Sequence, residues 1–560
     1  MSIRFLGVLA AMPVWVLGSV LLSALQLGLV VYNAGRIAVD LCFFWLAGVL
    51  RRVVMWVNSP WSFGSHRRRM EALERSLYAA RTREEWTAAA TLIDKAEGAE
   101  GWRSEVESSD YDYRLVEQML RSLKEARLAG DTHELMFLLG SALHRRFGSI
   151  DRSCLYHRAR AGTKRLVERF VDECVLAINA VAQAPTGAHS AISPTKGGPA
   201  DGSGTRAPDP GPGSPTNSAA SAAAAPSHLS ASDKLEFFEG ARLAMGRTAL
   251  CLSGGGALAM YHMGVVRALI QADAMPRIVS GTSGGAIVAG MLAIRTDKEM
   301  VDDVIASDIA DRYGVTWFDP IPTQVATFAA SLLTSDRPHT MRSERFAATC
   351  KRYFGAYTFG EAFRRTGRVV SIVITVRYGD GGASHPFLAN YLTCPTVFIW
   401  SAVAASCALP GLMPAANLAG MSARTAGGDA LGPLDGVPFH PRGVHALDGS
   451  MQSDIPGEAL ARLFHVNRFV TSQVRLWLTL DIQYRAHRLA RLRLLPRFFG
   501  ADVSGIFTQR YRGHVTISPR MSLLDQFKAL SHPSRQDMER YISEGELATW
   551  PRLAHIATTA

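Results

Sequence analysis

Three short clusters in this chain have residue types and spacing that could do chemistry: a serine among glycines, a run of glycines and an Asp-Gly pair. GTSGG at 281–285 follows the short apolar segment PRIVS and opens the apolar stretch AIVAGMLAI. In a G-x-S-x-G match the glycines permit a sharp strand-to-helix turn that lifts the serine out of the backbone at a helix N-terminus. Ser283 is therefore the candidate nucleophile, with Gly281 and Gly285 forming its elbow. Taken alone, the same residues also suit a glycine-rich turn with an N-cap serine. Upstream, SGGGALA at 253–259 again lies between an expected strand and an expected helix. The backbone N–H groups of Gly254, Gly255 and Gly256 there can face a developing negative charge, aided by the helix dipole, as an oxyanion hole requires. A phosphate-binding loop is the rival reading. It is weak because no Gly-Lys-Ser/Thr ends the loop and Ala259 stands where G-x-G-x-x-G needs its last glycine. The third cluster is DGS at 448–450, and on residues alone Asp448 and Gly449 read as an ordinary tight turn.

The elements that must position these residues are legible between 248 and 294, which reads as strand, glycine turn, helix, strand, tight turn, helix. Such alternation predicts an α/β fold with a mostly parallel central sheet covered on both faces. RVVSIVITVRY at 368–378 adds a further apolar strand. The catalytic domain is expected over 233–475, with a C-terminal extension at 476–560. Before it, 66–183 shows helical periodicity, as in RLVEQMLRSLKEARLAG, and reads as a helical accessory domain. Residues 184–232 are almost entirely Ala, Pro, Gly, Ser and Thr, which cannot bury enough apolar area to offset ordering entropy. A disordered tether is expected there.

At the N-terminus, Phe5 through Tyr32 contains no Asp, Glu, Lys or Arg, and it exceeds the ~20 residues that cross a hydrocarbon core. Arg51, Arg52 and Arg67 to Arg69 follow, so 1–65 reads as a membrane-anchoring segment with the next domain on the cytosolic side. A cleaved signal peptide is the alternative, and the apolar stretch outruns its usual ~15-residue core. The net charge of +11 suits an acidic lipid surface as well as nucleic acid. RAHRLARLRLLPRFFG at 485–500 fits either a membrane-surface helix or a buried helix with one solvated face. The seven cysteines are scattered without CxxC pairing, so no disulfide framework, zinc site or cofactor is expected, and a reducing compartment is.

The ordered set of motifs resembles the patatin-like phospholipases, in particular their eukaryotic triacylglycerol lipase branch. The resemblance is carried by SSDYDY at 108–113, LYHRARAGTKRLVERFV at 155–171, GRTALCLSGGGALAMYHMGVVRAL, VSGTSGGAIVAGMLA, HPFLANYLTCPTVFIWSAVAASCALPGLM at 385–413 and DGSMQSDIPGEALARLFHVNRFVTSQV at 448–474. Even the tail GELATWPRLAHI at 545–556 fits. One departure is local: the family loop carries a basic residue and then glycine after GGGx, where this chain has Leu258 and Ala259.

The resemblance implies a three-layer α/β/α hydrolase preceded by a helical domain. It implies a Ser283–Asp448 dyad without a histidine member, an oxyanion hole around Gly254 to Gly256 and an acyl-enzyme hydrolysed by water. His445 would then be a loop histidine. The implied substrate is a glycerolipid, most directly a triacylglycerol. The implied partner is a membrane or lipid-droplet surface, at the endoplasmic reticulum or the droplet, and not nucleic acid. Phospholipase A action and transfer of the acyl group to a lysophospholipid or diacylglycerol use the same site and stay open. A non-catalytic lipid-droplet scaffold is the alternative of another class, against which both GTSGG and DGS are retained.

Overall fold

The structure, a computed structural model, describes residues 63–186, 229–306, 308–334, 338–378, 384–421, 437–438, 444–474 and 513–559. The expected membrane segment and tether, and the 485–500 stretch, lie outside these residues apart from their margins. Among the described residues no helix is long and apolar enough to cross a membrane. The chain divides into two compact units, one of residues 100–247 with the last few residues, the other of residues up to 99 together with 248–556.

The first of these is helical. Its main elements are α3 (Tyr113–Ala129), α4 (Thr132–Ala142), α5 (Arg165–Gln183) and α6 (Ala231–Met245), numbered after α1 (Phe63–Ala79) and α2 (Arg83–Ala96) of the other unit. Asp112 and Asp131 cap α3 and α4 by accepting from Leu115 N and Glu134 N, and Gly130 ends α3 in the left-handed region. Leu166, Phe170, Cys174, Ala177 and Val181 line the buried face of α5 at helical spacing. Arg127 on α3 pairs at 2.5 Å with the buried Glu173 on α5.

The other unit is built on a seven-stranded sheet of order β4-β3-β2-β1-β8-β9, with β7 also pairing β3. The strands are β1 (Arg247–Leu252), β2 (Ile278–Thr282), β3 (Val369–Tyr378), β4 (Ser384–Ala389), β7 (Val444–Asp448), β8 (Val466–Ser472) and β9 (Val515–Ile517); β5 (Ala419–Gly420) and β6 (Val437–Pro438) form a separate pair. β1 runs parallel to β2, β2 to β3 and β8 to β9, whereas β4 and β7 are antiparallel to β3. β2 is buried at every position, as a central parallel strand covered on both faces must be. The helices that bear on the site are α7 (Tyr261–Gln271), α8 (Gly284–Ile294), α9 (Ile321–Thr334), α10 (Ile399–Ser406), α11 (Leu523–Phe527) and α12 (Arg535–Thr549).

The described residues 513–556 are thus part of this unit: β9 extends the sheet, and α12 packs on α7, the helix that follows the glycine loop. The two helices meet backbone to backbone. A Cβ at Gly264 would lie 1.9 Å from Ile542 O, and one at Gly545 would lie 2.3 Å from Tyr261 O. Around this crossing Tyr261 stacks on Tyr541 at 4.3 Å, and Arg267 forms a two-pronged pair with the buried Glu546 at 2.6 and 2.5 Å. α1 and α2 join the same unit through Arg520 over the Tyr78 ring and Trp86 against Trp550.

Because the α7–α12 contact leaves no room for a methyl group, Gly545→Ala is expected to destabilise the protein by about 2 kcal/mol or more. Thermal unfolding checks this, with Gly101→Ala as the control. Open space surrounds the Cβ position of Gly101, so the control should leave the midpoint unchanged or slightly raised.

Candidate active site

Ser283 sits between the end of β2 and the start of α8 with φ 51° and ψ −124°, a conformation that costs a non-glycine residue about 1–3 kcal/mol. Its surroundings enforce it. Cβ atoms at Gly281 and Gly285 would fall 2.5 Å from Gly285 O and 2.4 Å from Leu252 O, so β1, β2 and α8 approach at backbone distance only because both positions are glycine. Ser283 N donates to Ser406 Oγ at 2.9 Å, and the Ser406 hydroxyl donates to Val373 O on β3 at 2.7 Å. The Cys407 thiol approaches Ser283 O at 3.2 Å. The strained turn is therefore clamped from the end of α10 as well as from the sheet.

The antiparallel β3–β7 ladder sets Asp448 opposite Ile374 and brings it to the serine. Ser283 Oγ donates to Asp448 Oδ2 at 2.6 Å, and the carboxylate is 1 % exposed. Its other oxygen accepts from Ser450 N at 2.8 Å and Ser450 Oγ at 2.7 Å. The Asp448 backbone is tied at both ends: its N–H donates to Ala408 O, and its carbonyl accepts from Thr375 Oγ1. Burial pushes the carboxyl pKa above the ordinary aspartate value, against the opposing pull of the hydrogen bonds from Ser283 and Ser450. A carboxylate so desolvated is a stronger base than one in water. Gly449 permits the close pass over β3, since a Cβ there would lie 2.3 Å from Val373 O.

The glycine loop runs alongside. Gly254 is close enough that its Cβ would lie 3.1 Å from Ser283 Cβ, yet its N–H donates to Asp454 Oδ1 at 2.9 Å. Asp454 also holds the nucleophile strand, its carbonyl accepting from Thr282 Oγ1 at 2.8 Å. Gly256 adopts φ +58° beneath Ala529 O, which accepts from Ala257 N at 2.7 Å. No described residue accepts a hydrogen bond from the N–H group of Gly255 or Gly256. Behind the loop, the buried His262 bridges Ser472 Oγ at 2.7 Å and Ser253 O at 2.9 Å, with a pKa lowered to about 4 by burial. The carbonyl of Ser253 requires the proton on Nε2, burial disfavours a second proton on Nδ1, and the neutral ring has both nitrogens engaged by residues other than Ser283.

The structure thus brings Ser283, Asp448, Gly254, Gly255 and Gly256 together, whereas His445 pairs with Arg377 along β7 and makes no bond to the serine. Three supporting residues escaped the sequence reading: Ser406, which anchors the nucleophile amide; Ser450, which holds the second carboxylate oxygen; and Asp454, which ties the glycine loop to β2. Ser450 lies inside the DGS motif itself. No spacing rule relates Ser406 or Asp454 to Ser283, because tertiary packing alone joins them. Among the described residues, no group of three or more His, Cys, Asp or Glu side chains could hold a metal ion.

A family model described as patatin-like phospholipase matches residues 250–460, and one described as a domain of unknown function matches residues 63–196. The chain is 30 % identical to triacylglycerol lipase ptl2 of Schizosaccharomyces pombe over 92 % of its own length and 78 % of that protein. It is 28 % identical to triacylglycerol lipase ptl3 of the same yeast, over 84 % of this chain and 91 % of that one. A patatin-like phospholipase domain-containing protein of Cryptococcus neoformans is 28 % identical over 86 % of this chain, which spans about half of that longer protein, 53 %.

The burial of Asp448 has a cost that unfolding can read. Its folded-state pKa lies above the unfolded value, so its favourable contribution is complete below the unfolded pKa and is lost as pH rises through the folded one. At neutral pH the ionised carboxylate opposes folding. Asp448→Asn is therefore expected to raise the thermal midpoint by a few degrees at pH 7, with the gain over wild type shrinking as pH falls toward 4. Equal midpoints at pH 7 would show that the hydrogen bonds from Ser283 and Ser450 fully offset the desolvation.

Proposed function

The chain belongs to the patatin-like phospholipase family and is a lipid ester hydrolase of it, and from that premise we propose that it cleaves fatty-acyl esters of glycerolipids, triacylglycerol foremost, through a Ser283–Asp448 dyad. The observation that carries this reading is the 2.6 Å hydrogen bond from Ser283 Oγ to a carboxylate that is 1 % exposed. The triacylglycerol lipase names of the two fission yeast relatives support the substrate class.

In this mechanism Asp448 accepts the Ser283 proton as Oγ attacks the ester carbonyl carbon. The tetrahedral oxyanion is met by the N–H groups of Gly255 and Gly256, with the positive end of the α8 dipole behind the serine. The Gly254 N–H, engaged by Asp454, positions the loop. Collapse breaks the bond to the alcohol oxygen, which takes the proton from Asp448 and leaves as the glyceride hydroxyl. A water then gives its proton to Asp448 and attacks the acyl carbon, and the released Ser283 oxygen recovers that proton. The neutral His262 takes no part.

The same proposal assigns the chain to a membrane surface, at the endoplasmic reticulum or the lipid droplet, with the catalytic domain on the cytosolic side. The uncharged Phe5–Tyr32 segment and the arginines after it support this. It keeps anchor 1–65, helical domain 66–183, tether 184–232, catalytic domain 233–475 and C-terminal extension 476–560 as segments of the sequence, although the compact units cut across them: 66–99 and 513–556 go with the hydrolase unit and 233–247 with the helical one.

Ser283→Ala is expected to remove hydrolysis of an emulsified long-chain triacylglycerol by at least about 10⁴-fold and to abolish labelling by a fluorophosphonate probe. Asp448→Asn should cost about 10²–10⁴-fold in kcat with little change in KM, and His445→Ala should stay near wild type. A dead His445→Ala beside an active Asp448→Asn would overturn the dyad. Deleting residues 1–65 is expected to release the protein from membranes on alkaline extraction, and retention of the truncated chain would assign the anchor elsewhere.

A further inference from the structure

Helix α9 reverses the usual distribution of side chains between protein and water. Its 14 residues, IPTQVATFAASLLT, include no charged side chain. The two residues it buries are polar, Gln324 at 7 % and Ser331 at 3 % exposure. Ile321, Val325, Leu332 and Leu333 face outward at 60, 63, 55 and 88 % exposure. A helix whose outer face meets water carries its charges there and turns its apolar stripe to the core. On α11, Leu524 and Phe527 are likewise 73 and 83 % exposed.

Hydrogen bonds tie this outward apolar face to the site at both ends. Gln324 Nε2 donates to Asp319 O and, at 2.8 Å, to Leu530 O. The neighbouring Ala529 O accepts from Ala257 N at the glycine loop. At the other end, the Ser331 hydroxyl accepts from His339 N at 3.0 Å and shares its proton between Phe328 O of its own helix at 2.8 Å and His339 O at 3.1 Å. The next residues, Thr340 and Met341, donate through their N–H groups to Leu412 O. Leu412 N in turn donates to Leu409 O, and Leu409 N to Cys407 O, beside the Ser283 carbonyl. The helix is thus a strap joining the glycine loop to the clamp on the nucleophile.

We propose that the outward face of α9, with Leu524 and Phe527 of α11, is the surface that docks on the glycerolipid aggregate holding the substrate. The inference rests on the hydrolase reading above. A face without a single charge offers no electrostatic complement to a protein partner, whereas acyl chains satisfy six exposed apolar side chains without one. Its hydrogen-bonded continuity with both sides of the site delivers the aggregate beside Ser283, where a long-chain ester must leave the lipid phase to react. The inward face needs no apolar packing, because Gln324 and Ser331 fasten it to backbone carbonyls.

The test uses the full chain with Cys42 and Cys154 replaced by serine. Val325→Cys, Leu333→Cys and, on the flank of the helix that lines a groove with Arg342 and Arg345, Thr327→Cys are each labelled with an environment-sensitive fluorophore. The probe is a phosphatidylcholine-coated triacylglycerol emulsion whose phospholipids carry brominated acyl chains. Labels at 325 and 333 should be quenched, and the label at 327 should not. The double variant Val325→Asp/Leu333→Asp should lose at least about tenfold in turnover of the emulsified ester while its turnover of a soluble short-chain ester stays within about twofold of wild type. No quenching at 325 and 333, or unchanged emulsion turnover in the double variant, overturns the docking surface. So does conversion of a dimer to a monomer by the double variant without quenching in the labelled chains, which assigns the face to a second copy. Quenching at 325 and 333 in a chain that hydrolyses neither ester supports the docking surface and sinks the hydrolase reading alone.

Discussion

The hydrogen bond from Ser283 Oγ to Asp448 Oδ2 sets two demands that pull against each other. The carboxylate has to be dry enough to compete for a serine proton, yet it has to be ionised to accept one. Burial at 1 % exposure meets the first demand, and the two hydrogen bonds from Ser450 meet the second by holding charge on the far oxygen. Had a lysine or arginine supplied the stabilisation, the pKa would fall and the base would weaken. Neutral donors also lower the pKa, but by less than burial raises it, so the carboxylate keeps its charge and a raised basicity. The β3–β7 ladder and the Thr375 hydrogen bond serve the same end, because a base acting over 2.6 Å tolerates little lateral movement.

That precision comes from contacts made at the level of the backbone. Four approaches around the site, at Gly281, Gly285, Gly449 and Gly256, are too close for any Cβ to be added without displacing backbone oxygen. Those at Gly281 and Gly285 close the nucleophile turn on itself and on β1, those at Gly449 and Gly256 seat the base and the glycine loop, and the left-handed conformation of Ser283 is over-determined by its surroundings. The crossing of α7 and α12 extends the same principle outward. Through Gly264 and Gly545 the helix that follows the glycine loop is pressed onto a helix near the C-terminus. This gives the tail GELATWPRLAHI a physical role in the hydrolase unit, since Glu546 receives Arg267 and Trp550 meets Trp86.

Polar residues do unusual work around this frame. Asp454 and Ser406 each join two segments far apart in the chain, one linking the glycine loop to β2, the other linking the Ser283 amide to β3. His262 is buried as a neutral bridge between β8 and Ser253, a role its lowered pKa protects. On α9 the same device frees the outer surface: two buried polar side chains do the fastening, and the apolar ones face outward.

The amino-acid sequence by itself determined the local chemistry of the site and the class of fold. GTSGG after an apolar strand requires a sharp turn into a helix, and the order of strands, glycine turns and helices from 248 to 294 leaves little besides a parallel sheet. Those signals are local, since glycine permissiveness and apolar periodicity act over a few residues. The pairing of Asp448 with Ser283 was legible only through family resemblance, because 165 positions separate them and an Asp-Gly pair alone makes a turn. Tertiary structure decided the rest. It committed the Gly254 amide to Asp454, drew Ser406 under the nucleophile, inserted β9 into the sheet and turned the leucines of α9 outward. Each of these depends on which distant backbone lies within hydrogen-bonding or van der Waals reach, and no periodicity along the chain encodes that.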